Sequence, residues 1–288
     1  MRILAIETSG GRGGVAILET PDTHGPRADP AVLEELYLGE GLRHGRDLVP
    51  AIQGACERAG WDRRRIDLVA VSIGPGSFTG IRIAVTLAKV MAFDTGAKVV
   101  AVPSLRALAH NAPATARRVA AIVDAKRGGL FASIFERRGE GDAVRAPADS
   151  LPAPGAGPAI AAVTSPRRKP GGEGHDTPAS RRGLVTATTM LDEFAEVFGP
   201  ALIEPEELAR HMERPAFVLG HGITKGRAAL AGFELAPRDL WDVRPSIIGR
   251  LGAELVDRGQ AADPLRLEPI YIRPPEAQEI WQRRQAPR

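Results

Sequence analysis

The chain contains 288 residues, 43% hydrophobic and 25% charged, with a formal net charge of +3. Those proportions fit a soluble globular protein with room for one large domain or two lobes. The lone cysteine, Cys56, excludes an internal disulfide and a multi-cysteine metal site, while the mild basicity permits nucleic-acid contact without demanding it. Residues 1–7 carry an apolar run of only four, too short for the core of a secretion signal, and no run approaches membrane-spanning length. A cytoplasmic protein with no membrane association is expected.

Residues 3–9 read as a strand, Gly10, Gly11, Gly13 and Gly14 as a turn, and 15–19 as a returning strand, together a β-hairpin. Residues 32–38 add a third strand. Over 44–60, Leu48, Ile52, Ala55, Cys56 and Ala59 recur on one helical face, and Gly60 supplies the stop. Pro50 predicts a late start or a kink in that helix. A strand over 66–73 leads through a glycine-rich turn into a helix that runs to about residue 94 and stops at Gly96. In it Ile83, Leu87, Val90 and Met91 form one stripe, with Ala84 and Ala88 on a neighbouring face. A strand at 98–102, a helix to 110 and a hairpin of strands 119–124 and 130–135 follow.

Residues 138–183 are dominated by Pro, Gly, Ala, Ser and Arg without apolar periodicity, and read as a flexible insertion. Beyond it the pattern predicts a helix over 190–198, a short strand at 216–219 closed by Gly220-His221-Gly222, a helix over 246–258 and an extended segment at 267–273. Antiparallel strands leading into βαβ units imply an α/β lobe with a mixed sheet over 1–110, and a smaller lobe over 111–288.

The turn Ser72-Ile73-Gly74-Pro75-Gly76-Ser77-Phe78-Thr79-Gly80-Ile81-Arg82 is the motif with most chemical content. A glycine-rich strand-to-helix turn can aim backbone N–H groups at an anion. Its Gly-x-Gly-x-x-x-Gly spacing is one residue longer than the dinucleotide fingerprint, and it lacks the Gly-Lys-Ser/Thr ending of a P-loop. Pro75 and Thr79 stand where a nucleophile elbow around Ser77 needs glycines, so protease machinery is absent. No two of the six histidines lie four apart, which removes a helical metal-binding pair.

Taken whole, Gly74-Pro75-Gly76-Ser77-Phe78-Thr79-Gly80-Ile81-Arg82 resembles the signature of the bacterial TsaB (YeaZ) family. Residues 3–9 and 44–50, Val102-Pro103-Ser104-Leu105 and Val123-Asp124-Ala125-Lys126-Arg127 are similar to family features, as are Gly220-His221-Gly222 and Pro269-Ile270-Tyr271-Ile272-Arg273 more weakly. The resemblance implies an α/β actin-like, sugar-kinase-like (ASKHA) fold, with two lobes of mixed β-sheets flanked by helices. It implies a non-catalytic subunit that binds and activates TsaD, which transfers threonylcarbamoyl from threonylcarbamoyl-AMP to adenosine 37 of tRNA to give threonylcarbamoyladenosine (t6A). TsaE is the implied ATPase partner, and tRNA is met through the complex. ATP, Mg²⁺ and a metal would be held by the partners, leaving no catalytic, cofactor or metal residue in this chain.

The resemblance further places partner-binding faces on the helices at 44–60 and 79–94, with Leu48, Ile52, Ala84, Leu87 and Ala88 as interface candidates. The same face could pair with a second copy, giving a homodimer of the isolated chain. TsaD carries a His-x-x-x-His pair in the helix where this chain has residues 104–110 and the single His110. In the actin-like superfamily Glu7-Thr8-Ser9 would occupy a phosphate loop, where hydroxyls and amides could hold phosphate and an acid a Mg²⁺ shell. The opposing reading is that the glycines after it simply build the hairpin turn. A different class of function, an ATP-dependent small-molecule kinase of the same fold, needs that acid and tight ATP binding.

Overall fold

The apolar runs on either side of the first glycine turn pair antiparallel as β1 (Arg2–Glu7) and β2 (Gly14–Glu19), with Ile6 opposite Val15. The computed structural model describes residues 1–21, 29–39, 44–139 and 189–273. β3 (Ala31–Tyr37) adds to β2, and the chain then crosses through α1 (His44–Arg58) to β4 (Leu68–Ser72), parallel to β1. A second crossover, α2 (Phe78–Thr95), returns to β5 (Lys98–Val102), parallel to β4. Parallel neighbours need such helical crossovers, and here they give the strand order β3-β2-β1-β4-β5.

Side chains alternate across this sheet. Leu4, Ile6, Val15, Ile17, Val69 and Val71 face α1 and α2, whereas Ile3, Ala5, Ala16, Leu18, Leu68 and Ala70 belong to a core on the other side. Each fully buried Leu or Ile contributes about 1.5–3 kcal/mol relative to exposure. The first helix begins at His44 with Pro50 inside its second turn, so the expected late start is not observed.

After α3 (Ser104–Ala109) a second sheet is built from β6 (Arg118–Asp124), β7 (Leu130–Arg137), β8 (Phe194–Ile203), β9 (Phe217–Leu219) and β10 (Glu234–Leu235). Its order is β10-β9-β6-β7-β8, with β7 antiparallel to β6 and β8, and β9 parallel to β6. Three short helices, α4 (Met190–Glu193), α5 (Pro205–His211) and α6 (Ile223–Gly226), connect its strands. The last described helix, α7 (Pro245–Asp257), packs on β1, β2, β4 and β5.

One expected helix is corrected. The helix over 190–198 is confined to α4, and Phe194 begins a strand. Phe194 and Phe198 are spaced to suit a helix, but β7 offers them a pairing edge, and Phe194 is fixed under the Arg137 guanidinium, 4.4 Å from its ring centre. α5 and β10 carry no sequence signal strong enough to predict them. α7, from the part of the chain expected to form the smaller lobe, returns to cover the first sheet. Its Ile248, Leu251 and Leu255 join one core with Ile122 and Phe135 of the second sheet. Except for Arg138 and Gly139, the expected insertion at 138–183 lies outside the described residues. No described helix is long and apolar enough to cross a membrane.

Candidate functional site

The glycine-rich turn is held at every side by backbone. Ser77 caps α2, its Oγ accepting from the Gly80 N–H at 3.3 Å, and its own N–H donates to the Ser9 carbonyl at 2.7 Å. Thr8 Oγ1 donates to the Gly80 carbonyl at 2.8 Å. On the other flank the Ser104 N–H donates to the Gly74 carbonyl at 2.9 Å, and the Gly74 N–H to Ser104 Oγ at 3.1 Å. A Cβ on Gly76 would collide with the Ser9 carbonyl, and one on Gly80 with the Thr8 carbonyl, each well inside the 3.0 Å that real Cβ atoms respect. Glycine is required at both positions because two backbones touch there.

The loop that covers the turn is the candidate phosphate loop itself. Glu7 is 1% exposed. Its Oε1 accepts from the Ser9 N–H at 2.5 Å, from Ser9 Oγ at 2.6 Å and from the Gly10 N–H at 3.3 Å. Burial pushes its pKa above the usual glutamate value, against the opposing pull of Ser72, Ser9 and Gly10. Ser72 Oγ acts on the carboxylate without completing a hydrogen bond of its own. The amides and hydroxyl that could cradle a phosphate are therefore turned onto the chain's own acid, and that acid faces inward.

The helix α3 does not fit a metal either. Ser104 serves the glycine turn, and the His110 side chain is 2% exposed with Nδ1 at 3.2 Å from Glu193 Oε2. Glu193 is already paired with Arg137. Burial foremost, and then Arg106 and Arg137, pull the His110 pKa down to about 4, so the imidazole is neutral. Among the described residues no three His, Cys, Asp or Glu side chains converge as metal ligands.

What the turn does present is α2, whose outer face makes a groove of about 500 Å³ with α1. Leu48 forms its floor, Ile83 and Leu87 a wall, and Val49, Phe78 and Val90 its rim. Val49 and Val90 are 54% and 56% exposed, and Phe93 further along α2 is 64% exposed. Phe78 is braced by Tyr271 at 5.1 Å between ring centres and by the Arg82 guanidinium at 4.9 Å. Of the five residues singled out in the sequence, Ile52, Ala84 and Ala88 are buried in the core beneath α1 and α2, and Leu48 is fully buried below the groove. Leu87 alone stands half-buried on its wall. Sequence reasoning misses Val49, Phe78 and Phe93, although the excess of apolar residues over what one helix face needs points to such a surface.

A family model described as TsaD, tRNA N6-adenosine threonylcarbamoyltransferase, matches residues 41–230. Curated proteins named tRNA threonylcarbamoyladenosine biosynthesis protein TsaB are similar as well. The one from Bacillus subtilis is 33% identical over 137 residues, 47% of this chain and 56% of that protein. The one from Escherichia coli is 30% identical over 141 residues, 48% and 56% of the two. The chain belongs to the family of that model. It spans about half the length of the curated TsaB relatives it matches. The solved structure of YeaZ from Pseudomonas aeruginosa superposes with a TM-score of 0.61 at 20% identity, covering 94% of this chain and 99% of that one. A second Pseudomonas aeruginosa structure, of an uncharacterized protein with similarity to peptidase YEAZ, gives 0.63 with the same coverage. The chain thus has the α/β actin-like fold, two mixed sheets flanked by helices.

Proposed function

We propose that this chain is an auxiliary subunit in the synthesis of t6A on tRNA. It docks TsaD through the α1–α2 groove and holds TsaD in its transfer-competent state. The observation that carries this reading is the groove's exposed apolar rim, Val49 on α1 with Phe78 and Val90 on α2, the helix whose start is fixed by the signature turn. Contiguous exposed apolar surface of this kind marks a partner site, and each aliphatic side chain buried on docking would contribute about 1.5–3 kcal/mol before the cost of association. The chain performs no chemistry on this reading. TsaD holds the metal, threonylcarbamoyl-AMP and adenosine, TsaE handles ATP, and tRNA contacts the assembled complex. Activation is a coupling free energy, with docking favouring one state of TsaD.

The test is t6A formation by purified TsaD and TsaE with threonylcarbamoyl-AMP and tRNA, with and without this chain, and with a Val49→Glu, Val90→Glu variant. Both positions are exposed, so the variant should fold, whereas a charge at Leu48 would unfold the first lobe. Modification that requires the wild-type chain and fails with the folded variant supports the proposal. Modification indifferent to the chain overturns it, and a variant that activates fully removes the groove from the account. A concentration-dependent dimer of the isolated chain, abolished by the same variant, would identify a second copy as the groove's occupant when TsaD is absent.

A further inference from the structure

Residues 123–127 and 269–273, two segments that the groove leaves without a role, meet beside the signature turn. The chain after α7 forms a strap that begins at β5, the edge of the first sheet, where the Ala262 N–H donates to the Val99 carbonyl at 2.7 Å. Leu267 is buried in the core under α2, and the Ile270 N–H donates to the Ile73 carbonyl at 2.8 Å. A Cβ on Gly74 would lie 3.3 Å from the Ile270 carbonyl oxygen, so the strap rests directly on the turn. The Tyr271 ring then meets Phe78, with 5.1 Å between centres. From there the Arg273 guanidinium reaches the second sheet, Nη1 donating to the Ala125 carbonyl at 2.7 Å and to the Lys126 carbonyl at 3.3 Å.

The turn that Arg273 grips joins β6 to β7 and is strained. Lys126 and Arg127 have φ of 62° and 51°, the left-handed region that side-chain-bearing residues rarely adopt. Such strain persists only where the surroundings hold it, and it gathers at functional positions. Asp124 Oδ1 accepts the Lys126 N–H at 2.7 Å and pairs with Lys225 Nζ at 2.7 Å, and the Ala125 N–H donates to the Gly129 carbonyl at 3.0 Å. Those bonds lie within the part of the chain that builds the second sheet. Arg273 comes instead from a strap seated on the first sheet, so it ties the strained turn to the Tyr271–Phe78 pair.

On the docking reading above, we propose that Tyr271 and Arg273 are positioning residues of the partner groove. Arg273, anchored on the strained turn, fixes the strap, and Tyr271 fixes Phe78 in the rim. Neither residue lines the groove, so the effect of Arg273 on docking passes through Tyr271 and Phe78. The coupling is reciprocal: docking on Phe78 tightens the turn by the factor with which the turn tightens docking.

Hydrogen exchange in the isolated chain tests the linkage without a partner. The Ala125 and Lys126 amides should exchange about threefold to tenfold faster in Phe78→Ala and in Tyr271→Ala, the range expected for losing one ring pair. In Arg273→Ala they should exchange about tenfold faster or more, for the lost charged donor. The Ala120 amide inside β6 serves as the unaffected reference. All three side chains are partly exposed, and thermal unfolding checks that the variants are folded. Wild-type exchange of the turn in Phe78→Ala and Tyr271→Ala overturns the proposal. Calorimetric titration with purified TsaD then measures docking. Tyr271→Ala and Arg273→Ala should each weaken it about fivefold to tenfold, and Tyr271→Phe, which keeps the ring, should bind within about twofold. The Tyr271→Ala, Arg273→Ala double variant should bind no more weakly than the weaker single variant, because the two side chains act in series. Fully additive losses, or wild-type affinity in Arg273→Ala, overturn the proposal. Absence of binding by the wild-type chain overturns the docking reading instead, and the exchange rates still decide whether Phe78 and the turn are linked.

Discussion

Replacing Gly76 by alanine tests whether the signature turn is locked to the first strand. The added Cβ would collide with the Ser9 carbonyl oxygen and lie 2.9 Å from Ser9 Cβ. Neither atom can swing aside, since Ser9 is tied to Glu7 and its carbonyl accepts from Ser77. Overpacking of this kind costs about 1–3 kcal/mol. Separating the two backbones also weakens the Ser77-to-Ser9 and Thr8-to-Gly80 hydrogen bonds, at about 1 kcal/mol each. The sum is about 4 kcal/mol, or a fall of roughly 8–16 °C in Tm for a domain of this size. Urea unfolding followed by circular dichroism measures it. Gly11→Ala is the control, because a Cβ there meets nothing within 4 Å, and it should stay within about 0.5 kcal/mol of the parent. If Gly76→Ala unfolds within about 1 kcal/mol of the parent, the lock is not rigid and the reasoning fails.

The remaining predictions concern titration and the two faces of α2. His110 titrates at about 4 in the fold against 6.5 ordinarily, so its contribution is present above pH 6.5 and lost as pH falls toward 4. The loss amounts to about 3 kcal/mol, and His110→Leu should flatten the stability profile across that window. The raised Glu7 pKa has the opposite sign. Its contribution is complete below the ordinary glutamate value and declines as pH rises through the folded pKa, a decline that urea midpoints should show to be absent in Glu7→Gln. Ala84→Leu should destabilise the fold by about 1–3 kcal/mol because Ala84 is fully buried, while Val90→Glu should leave the unfolding midpoint nearly unchanged and act only on partner binding.

Much of the first sheet is legible in the sequence because its signals are local. The hairpin alternates around a glycine turn, and Gly96 ends α2 at a positive φ of 74°. Which face of α2 points inward is not legible. Ile83, Leu87, Val90 and Met91 form the bulkier stripe, and bulk ordinarily marks the core. The structure buries Ala84, Ala88 and Ala92 with Ile81 and Val85 instead, where α2 packs on its own sheet. The alanines suggest close approach by a partner, and the close approach is internal. The start of β8 and the return of α7 are hidden for another reason: both depend on pairing with elements far away in sequence, β7 in one case and the first sheet in the other.

That inward use of small residues bears on what the signature turn is for. A glycine-rich strand-to-helix turn offers amides to an anion, and the sequence permits that reading here. In the fold the loop facing the turn carries Glu7, whose Oε1 takes the nearby amides, and Gly76 and Gly80 admit the Ser9 and Thr8 carbonyls rather than a phosphate. A bound phosphate at this point would have to displace a buried carboxylate and break the hydrogen bond that fixes Ser77. The turn therefore sets the origin and tilt of α2, and through them the rim on which Phe78 and Val90 stand. On the proposed function the turn thereby anchors a docking helix, and its glycines are needed because the Ser9 and Thr8 carbonyls lie against them.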